Sequence, residues 1–90
     1  MAIEVRIPTI LRTYTDGAKA VSGSGGNLAA LIEDLEANHP GIKDRLVTDG
    51  ALHRFVNVYV NDEDVRFLAG LGTEVSDGDV VVVLPAVAGG

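Results

Sequence analysis

The residues best placed to do chemistry are the last two, Gly89 and Gly90, standing behind Val80-Val-Val-Val-Leu-Pro85 and the small residues Ala86-Val-Ala88. Glycine lacks Cβ, so Gly89 fits where any side chain would clash. A carboxylate on Gly90, carried on so thin a stalk, suits threading into the closed active site of another protein. At ordinary glycine usage, two terminal glycines arise by chance about once in two hundred chains. Their weight comes from sitting directly behind an apolar run rich in β-branched residues, which predicts a final core strand. Pro85 has no N–H and stops further ladder pairing. The five residues beyond it span at most about 17 Å when extended, enough to reach a catalytic pocket while the folded body stays outside. The expected division is therefore a folded domain over residues 1–85 and a flexible tail over residues 86–90.

Other candidate chemistry is weaker. Ser22-Gly-Ser-Gly-Gly26 is glycine-rich, yet it lacks the Gly/Lys/Ser order of a phosphate loop and is expected to be a flexible connection. Asp62, Glu63 and Asp64 lack the sixth-position Gly and closing Glu of a calcium loop, which leaves an acidic turn. His39 and His53 have no partnering motif, and no Ser/His/Asp arrangement is visible. There are no cysteines, so thiolate metal sites, disulfides and nucleophilic thiols are excluded. Any sulfur chemistry must use delivered sulfur. The chain offers no enzyme motif and no metal site.

Ninety residues make one domain that buries about 60–70 % of its unfolded surface. Hydrophobic residues are 47 % and aromatics only 4 %, so the core must be aliphatic. A net charge of −6 disfavours nucleic acid and anionic membranes and suits docking to basic surfaces. No signal-peptide pattern and no membrane-length apolar stretch occur, which makes a cytoplasmic location the expectation.

The elements that must position the tail follow in order. Ile3, Val5 and Ile7 alternate with Glu4 and Arg6, a half-buried strand ended by Pro8. Asp16-Gly17 signals a turn, and Lys19–Ser22 pairs back. Asn27 caps a helix whose stripe is Leu28, Leu31, Ile32 and Leu35, ending near Asn38 because Pro40 restricts His39. Its outer face carries Glu33, Asp34 and Glu36, a solvated or docking face. Gly41–Leu46 makes a helical turn with Ile42 and Leu46 inward, and Thr48–Ala51 a loop. Phe55–Val60 is a strand whose valines face the core. Val65–Phe67 is a short returning strand, and Ser76–Asp79 a tight turn with Gly78 at positive φ.

The last strand does not alternate, so both of its faces are apolar. With Val81 and Val83 toward the helix, Val80, Val82 and Leu84 point outward, joined by Phe55 and Tyr59. An apolar patch beside a protruding tail suits protein docking unless Ile10, Leu11 and Leu68 cover it. The element order fits an α+β domain, a mixed sheet around one main helix with the last strand beside the first: the β-grasp, or ubiquitin-like, layout.

The ending Asp77–Gly90 resembles that of the small sulfur carriers of the MoaD/ThiS family. Ile7–Arg12, Asp34–Asn38 and the sixteen-residue block Leu52–Phe67 resemble the branch that serves cysteine biosynthesis. The departures, at Thr13–Gly17, Ser22–Asn27 and Val47–Ala51, fall in loops. The resemblance implies that an E1-like activating sulfurtransferase adenylates the Gly90 carboxylate with ATP and that sulfur transfer makes it a thiocarboxylate. A pyridoxal-phosphate-dependent cysteine synthase then uses it to attack an aminoacrylate, and a zinc metallopeptidase releases cysteine. ATP, pyridoxal phosphate and zinc all belong to partners, and this chain binds none. The chain contributes Gly90 as reactive terminus, Gly89 as clearance, and Phe55, Tyr59, Val82, Leu84, Val87 and Ala88 as partner contacts. Within the family, the alternative is the small subunit of molybdopterin synthase. Outside it, the alternatives are a ubiquitin-like tag and a plain binding module. A transient carrier is expected to be a folded monomer.

Overall fold

The computed structural model describes residues 2–54 and 56–85. Strand β1 (Ile3–Arg6) shows the alternation its sequence predicts, with Ile3 and Val5 buried and Glu4 and Arg6 exposed. After Pro8 the chain does not run irregularly to the Asp-Gly turn. It winds through a 3₁₀ helix, Thr9–Thr15, that sends Leu11 into the core. Asp16 and Gly17 then turn the chain at φ 53° and 83°. Strand β2 (Ala20–Gly23) pairs antiparallel with β1. It begins one residue later than expected, because Lys19 contributes only its carbonyl, to the Ile7 N–H at 2.8 Å.

Helix α1 (Leu28–Asn38) begins where the Asn27 side chain accepts the Ala30 N–H at 2.8 Å, which satisfies one orphan donor of the first turn. Leu28, Leu31, Ile32 and Leu35 are buried, as their spacing requires. The loop before it is not a loose connection: a Cβ on Gly25 would lie 2.6 Å from the Leu31 backbone nitrogen. Past Pro40 a short helix, α2 (Lys43–Leu46), follows, with Ile42 and Leu46 both buried.

Two sequence expectations change here for one reason. The segment expected to be a loop is a hairpin of β3 (Val47–Thr48) and β4 (Ala51–Leu52), turning at Asp49 and Gly50 with φ 53° and 77°. Likewise β5 (Val56–Val60) turns at Asn61 and Asp62, φ 49° and 72°, straight into β6 (Glu63–Asp64). Two successive left-handed residues make the turn that best matches strand twist. The return strand therefore comes two residues early. Val65–Phe67 is then a 3₁₀ turn and not a strand, held by the Asp64 carboxylate accepting the Arg66 N–H at 2.9 Å.

After a 3₁₀ turn at Gly70–Gly72, Val75 is buried and Gly78 turns at φ 90° into β7 (Val80–Pro85). The sheet order is β2-β1-β7-β5-β6. β7 runs parallel to β1 and antiparallel to β5. This is the β-grasp layout, with β7 at the centre of the sheet. The core gathers Val5, Val58, Val81 and Val83 from the sheet with the apolar stripe of α1. A strand clamped on both edges is a rigid base for whatever leaves its C-terminal end.

Candidate functional site

The candidate site is the end of β7, where the chain leaves the sheet at Pro85. Its neighbours are fixed by register. Val82 sits between Tyr59 and Arg6, and Leu84 sits beside Asn57. Strand alternation puts Val81 and Val83 in the core, 1 % and 3 % exposed. Val80 and Val82 on the opposite face are half-buried, while Leu84 is 45 % exposed. Tyr59, Val82 and Leu84 share one shallow outer hollow with Asp62. The structure therefore brings together three of the residues singled out in the sequence. Phe55, Val87, Ala88, Gly89 and Gly90 lie outside the described residues. The Asn57 side-chain oxygen, next to Leu84 in register, is buried without a hydrogen-bond partner among the described residues.

The residues that could have covered this patch do not. Leu11 is buried, but Ile10 is 68 % exposed and lines two hollows together with Leu84 and Pro85. Leu68 is 47 % exposed and borders none of the hollows at the β7 end. Ile10 thus extends the apolar surface. The sequence carried a signal for it: of two adjacent apolar residues in a tight turn, only one can face the core.

Charged residues flank this apolar centre. Arg6, Arg12 and Lys19 line one hollow against Leu84 and Pro85, and Asp44, Arg45 and His53 line the other. Arg45 Nε donates to the Tyr14 hydroxyl at 2.8 Å, and its guanidinium lies 5.9 Å from the ring centre. Tyr14, chiefly through that hydrogen bond, and to a lesser extent the charge of Asp44 raise the Arg45 pKa above its ordinary value. Sequence reasoning did not find this grouping. Its members come from segments far apart in the chain, and only the fold makes them neighbours.

The other candidates resolve into structural roles. The acids of α1 are tied to nearby groups. Glu33 pairs with Lys43, Asp34 accepts the Ser24 N–H at 3.0 Å, and Glu36 accepts the N–H groups of Gly41 and Lys43 at 3.0 Å and 2.9 Å. Those two donors hold the Glu36 carboxyl below its ordinary pKa. At the N-terminus of α1, Leu28 N–H goes to Thr73 O and Ala30 N–H to Asn27, so these donors are not offered to a phosphate. Asp64 is engaged by Arg66, which lowers its pKa. Among the described residues, no three His, Asp or Glu side chains are grouped to hold a metal ion, and no helix is long and apolar enough to cross a membrane.

Comparison with known proteins bears on the whole chain. The ThiS family model matches residues 5–90. The chain belongs to the ThiS family. It is 61 % identical over 93 aligned residues to the sulfur carrier protein CysO of Mycobacterium tuberculosis, with 100 % of each chain covered. The crystal structure of that CysO superposes with a TM-score of 0.92 at 60 % identity, covering 94 % of this chain and 99 % of the other. A BexX/CysO complex from Amycolatopsis orientalis gives 0.94 at 60 % identity, covering 99 % and 100 %. In that crystal the relative is bound to another protein. Membership sets this chain among carriers and not among enzymes, and it agrees with the resemblance seen in the sequence and with the β-grasp fold.

Proposed function

We propose that this chain is a sulfur carrier whose Gly90 carboxylate is adenylated, converted to a thiocarboxylate and used to deliver sulfur for cysteine biosynthesis. One observation carries the reading: identity of 61 % to a CysO sulfur carrier with the whole of both chains aligned. The geometry of β7 supports it. Val80, Val81, Val82 and Val83, paired with the strands on either side, anchor β7, while Ile10, Leu84 and Pro85 line the hollows at its exit. Residues 86–90 serve as the tail, and Gly89, without a Cβ, leaves clearance for a narrow partner channel.

The chemistry follows from the end group. A carboxylate is a poor acyl donor, and adenylation by an E1-like enzyme provides a leaving group. Sulfide displacing that group gives a thiocarboxylate, a soft nucleophile held on a protein and kept from diffusing. A pyridoxal-phosphate-dependent synthase supplies the acceptor carbon, and a zinc metallopeptidase restores the Gly-Gly end. Phe55, Tyr59, Val82, Leu84, Val87 and Ala88 form the contact surface for these partners. The carrier works as a monomer in the cytoplasm.

The test is to incubate the thiocarboxylated chain with a pyridoxal-phosphate-dependent cysteine synthase and phosphoserine. The expected product is a cysteine adduct on Gly90 in the intact mass, removed by the zinc peptidase. Sulfur delivered only to a molybdopterin precursor would replace this reading with that of a molybdopterin synthase subunit. Isopeptide bonds to protein lysines would replace it with that of a tag.

A further inference from the structure

The charge of the whole chain and the charge around the tail exit have opposite signs. The net charge is −6, from thirteen acids against seven Lys and Arg. Yet the two hollows that meet at Leu84 and Pro85 take in Arg6, Arg12, Lys19 and Arg45, and Asp44 is the only carboxylate among their described lining residues. Four of the seven Lys and Arg therefore line these two hollows against one acid, with Asp62 in the neighbouring hollow of Val82 and Leu84 on the other side of the strand end. Arg6 is partly neutralised by Glu4 at 2.7 Å. Arg12 Nε is turned to the Ile7 carbonyl at 3.1 Å and Arg45 Nε to the Tyr14 hydroxyl. Among the described residues neither they nor Lys19 has an ion-pair partner. The far end of β7 carries the reverse charge, with Asp77 and Asp79 in the turn that precedes it.

We infer that this basic collar docks the carrier onto a partner whose tail-accepting mouth has an acidic rim and an apolar centre, the centre taking Ile10 and Leu84. The inference rests on the carrier reading and names the chemistry of the partner at that same site. A carrier of net charge −6 would be repelled by an acidic rim if its charge were evenly spread. Gathered at one pole, the positive charge turns the molecule tail-first during approach, and such steering raises association rates by about 10–10³-fold. The net charge alone points to a basic partner surface; the collar reverses that expectation for the face that docks.

The test is ATP–pyrophosphate exchange by an E1-like activating enzyme of the carrier family, with kcat/KM measured from low salt to about 1 M, where the screening length falls to about 3 Å. The wild-type value is expected to fall steeply with salt. Arg12→Glu with Lys19→Glu is expected to lose at least about ten-fold at low salt and to converge on wild type at high salt. Lys19→Glu alone, whose side chain is exposed and makes no hydrogen bond among the described residues, should lose about three-fold without a change in Tm. Glu74→Lys with Asp77→Lys, which adds positive charge away from the exit, should cost nothing. Exchange that is indifferent to salt and to the collar overturns the collar while leaving the carrier reading intact. Equal responses to both pairs of variants reduce it to net charge and also overturn it. No exchange with the wild-type chain at any salt overturns the carrier reading, and the collar with it.

Discussion

Two neighbouring residues on β7 should report on two different properties when each is cut to alanine. Val83 points into the core and is 3 % exposed; Leu84 points outward and is 45 % exposed. Removing two buried carbons at Val83, at about 0.8 kcal/mol each plus a cavity term, should destabilise the fold by about 2 kcal/mol. In a domain of this size that lowers Tm by about 10 °C. Leu84 behaves differently. Burying a whole leucine is worth about 1.5–3 kcal/mol, so covering its exposed 45 % on docking contributes about 0.7–1.4 kcal/mol. Leu84→Ala should therefore lower kcat/KM for activation by an E1-like enzyme by about three- to ten-fold. Its Tm should fall much less than that of Val83→Ala. The assay pairs thermal unfolding with initial rates of pyrophosphate exchange at fixed salt. If Leu84→Ala is activated as fast as wild type, the outer face of β7 is not the docking surface. If Leu84→Ala unfolds as early as Val83→Ala, the assignment of faces is at fault.

Other consequences are more local. Asn27→Ala removes the cap on Ala30 N–H and should cost about 1 kcal/mol, seen as a drop in Tm of about 4–8 °C. Gly41→Ala should destabilise by more than about 1 kcal/mol in denaturant titration, because φ is 99° and the new Cβ would lie 2.9 Å from the Tyr14 ring. Glu36, Asp64 and Asp79 are held below their ordinary pKa by, respectively, the N–H groups of Gly41 and Lys43, the side chain and N–H of Arg66, and the side chain of Asn61 with the N–H of Ser76. A depressed folded pKa gives stability that is complete above the unfolded value, near pH 4, and is lost as pH falls through the folded one. Tm should hence stay level from pH 7 to about 5 and fall below about 4, and Glu36→Gln should make that acid limb shallower. A Tm that rises on acidification would contradict this sign.

The periodic parts of this fold were legible in the sequence. The alternation of Ile3, Val5 and Ile7 and the stripe Leu28–Leu35 are each set by a single element, and each matched the structure. Asn27 and Pro40 marked the ends of α1 because caps and proline act locally. What was misread lies where two turn residues both take positive φ. Asp49-Gly50 and Asn61-Asp62 close hairpins in two residues, and the sequence shows the turn more plainly than the strands it joins. The exposed side of β7 was legible because an apolar strand without alternation must serve two faces. The acids of α1 were not, since their carboxylates are used by backbone N–H groups and a lysine from neighbouring segments. The basic grouping was hidden for the same reason: Arg12 and Lys19 in one hollow and Arg45 in the other come to the same end of β7 only in the folded chain.

The most direct measurement of the central claim is the intact mass of the purified chain after incubation with ATP, a sulfide source and an E1-like activating enzyme. A sulfur carrier gains the mass difference between one sulfur and one oxygen, located at Gly90 by fragmentation and absent when Gly90 is deleted. An unchanged mass with each activating enzyme of the source organism would contradict the account and leave a ubiquitin-like binding module.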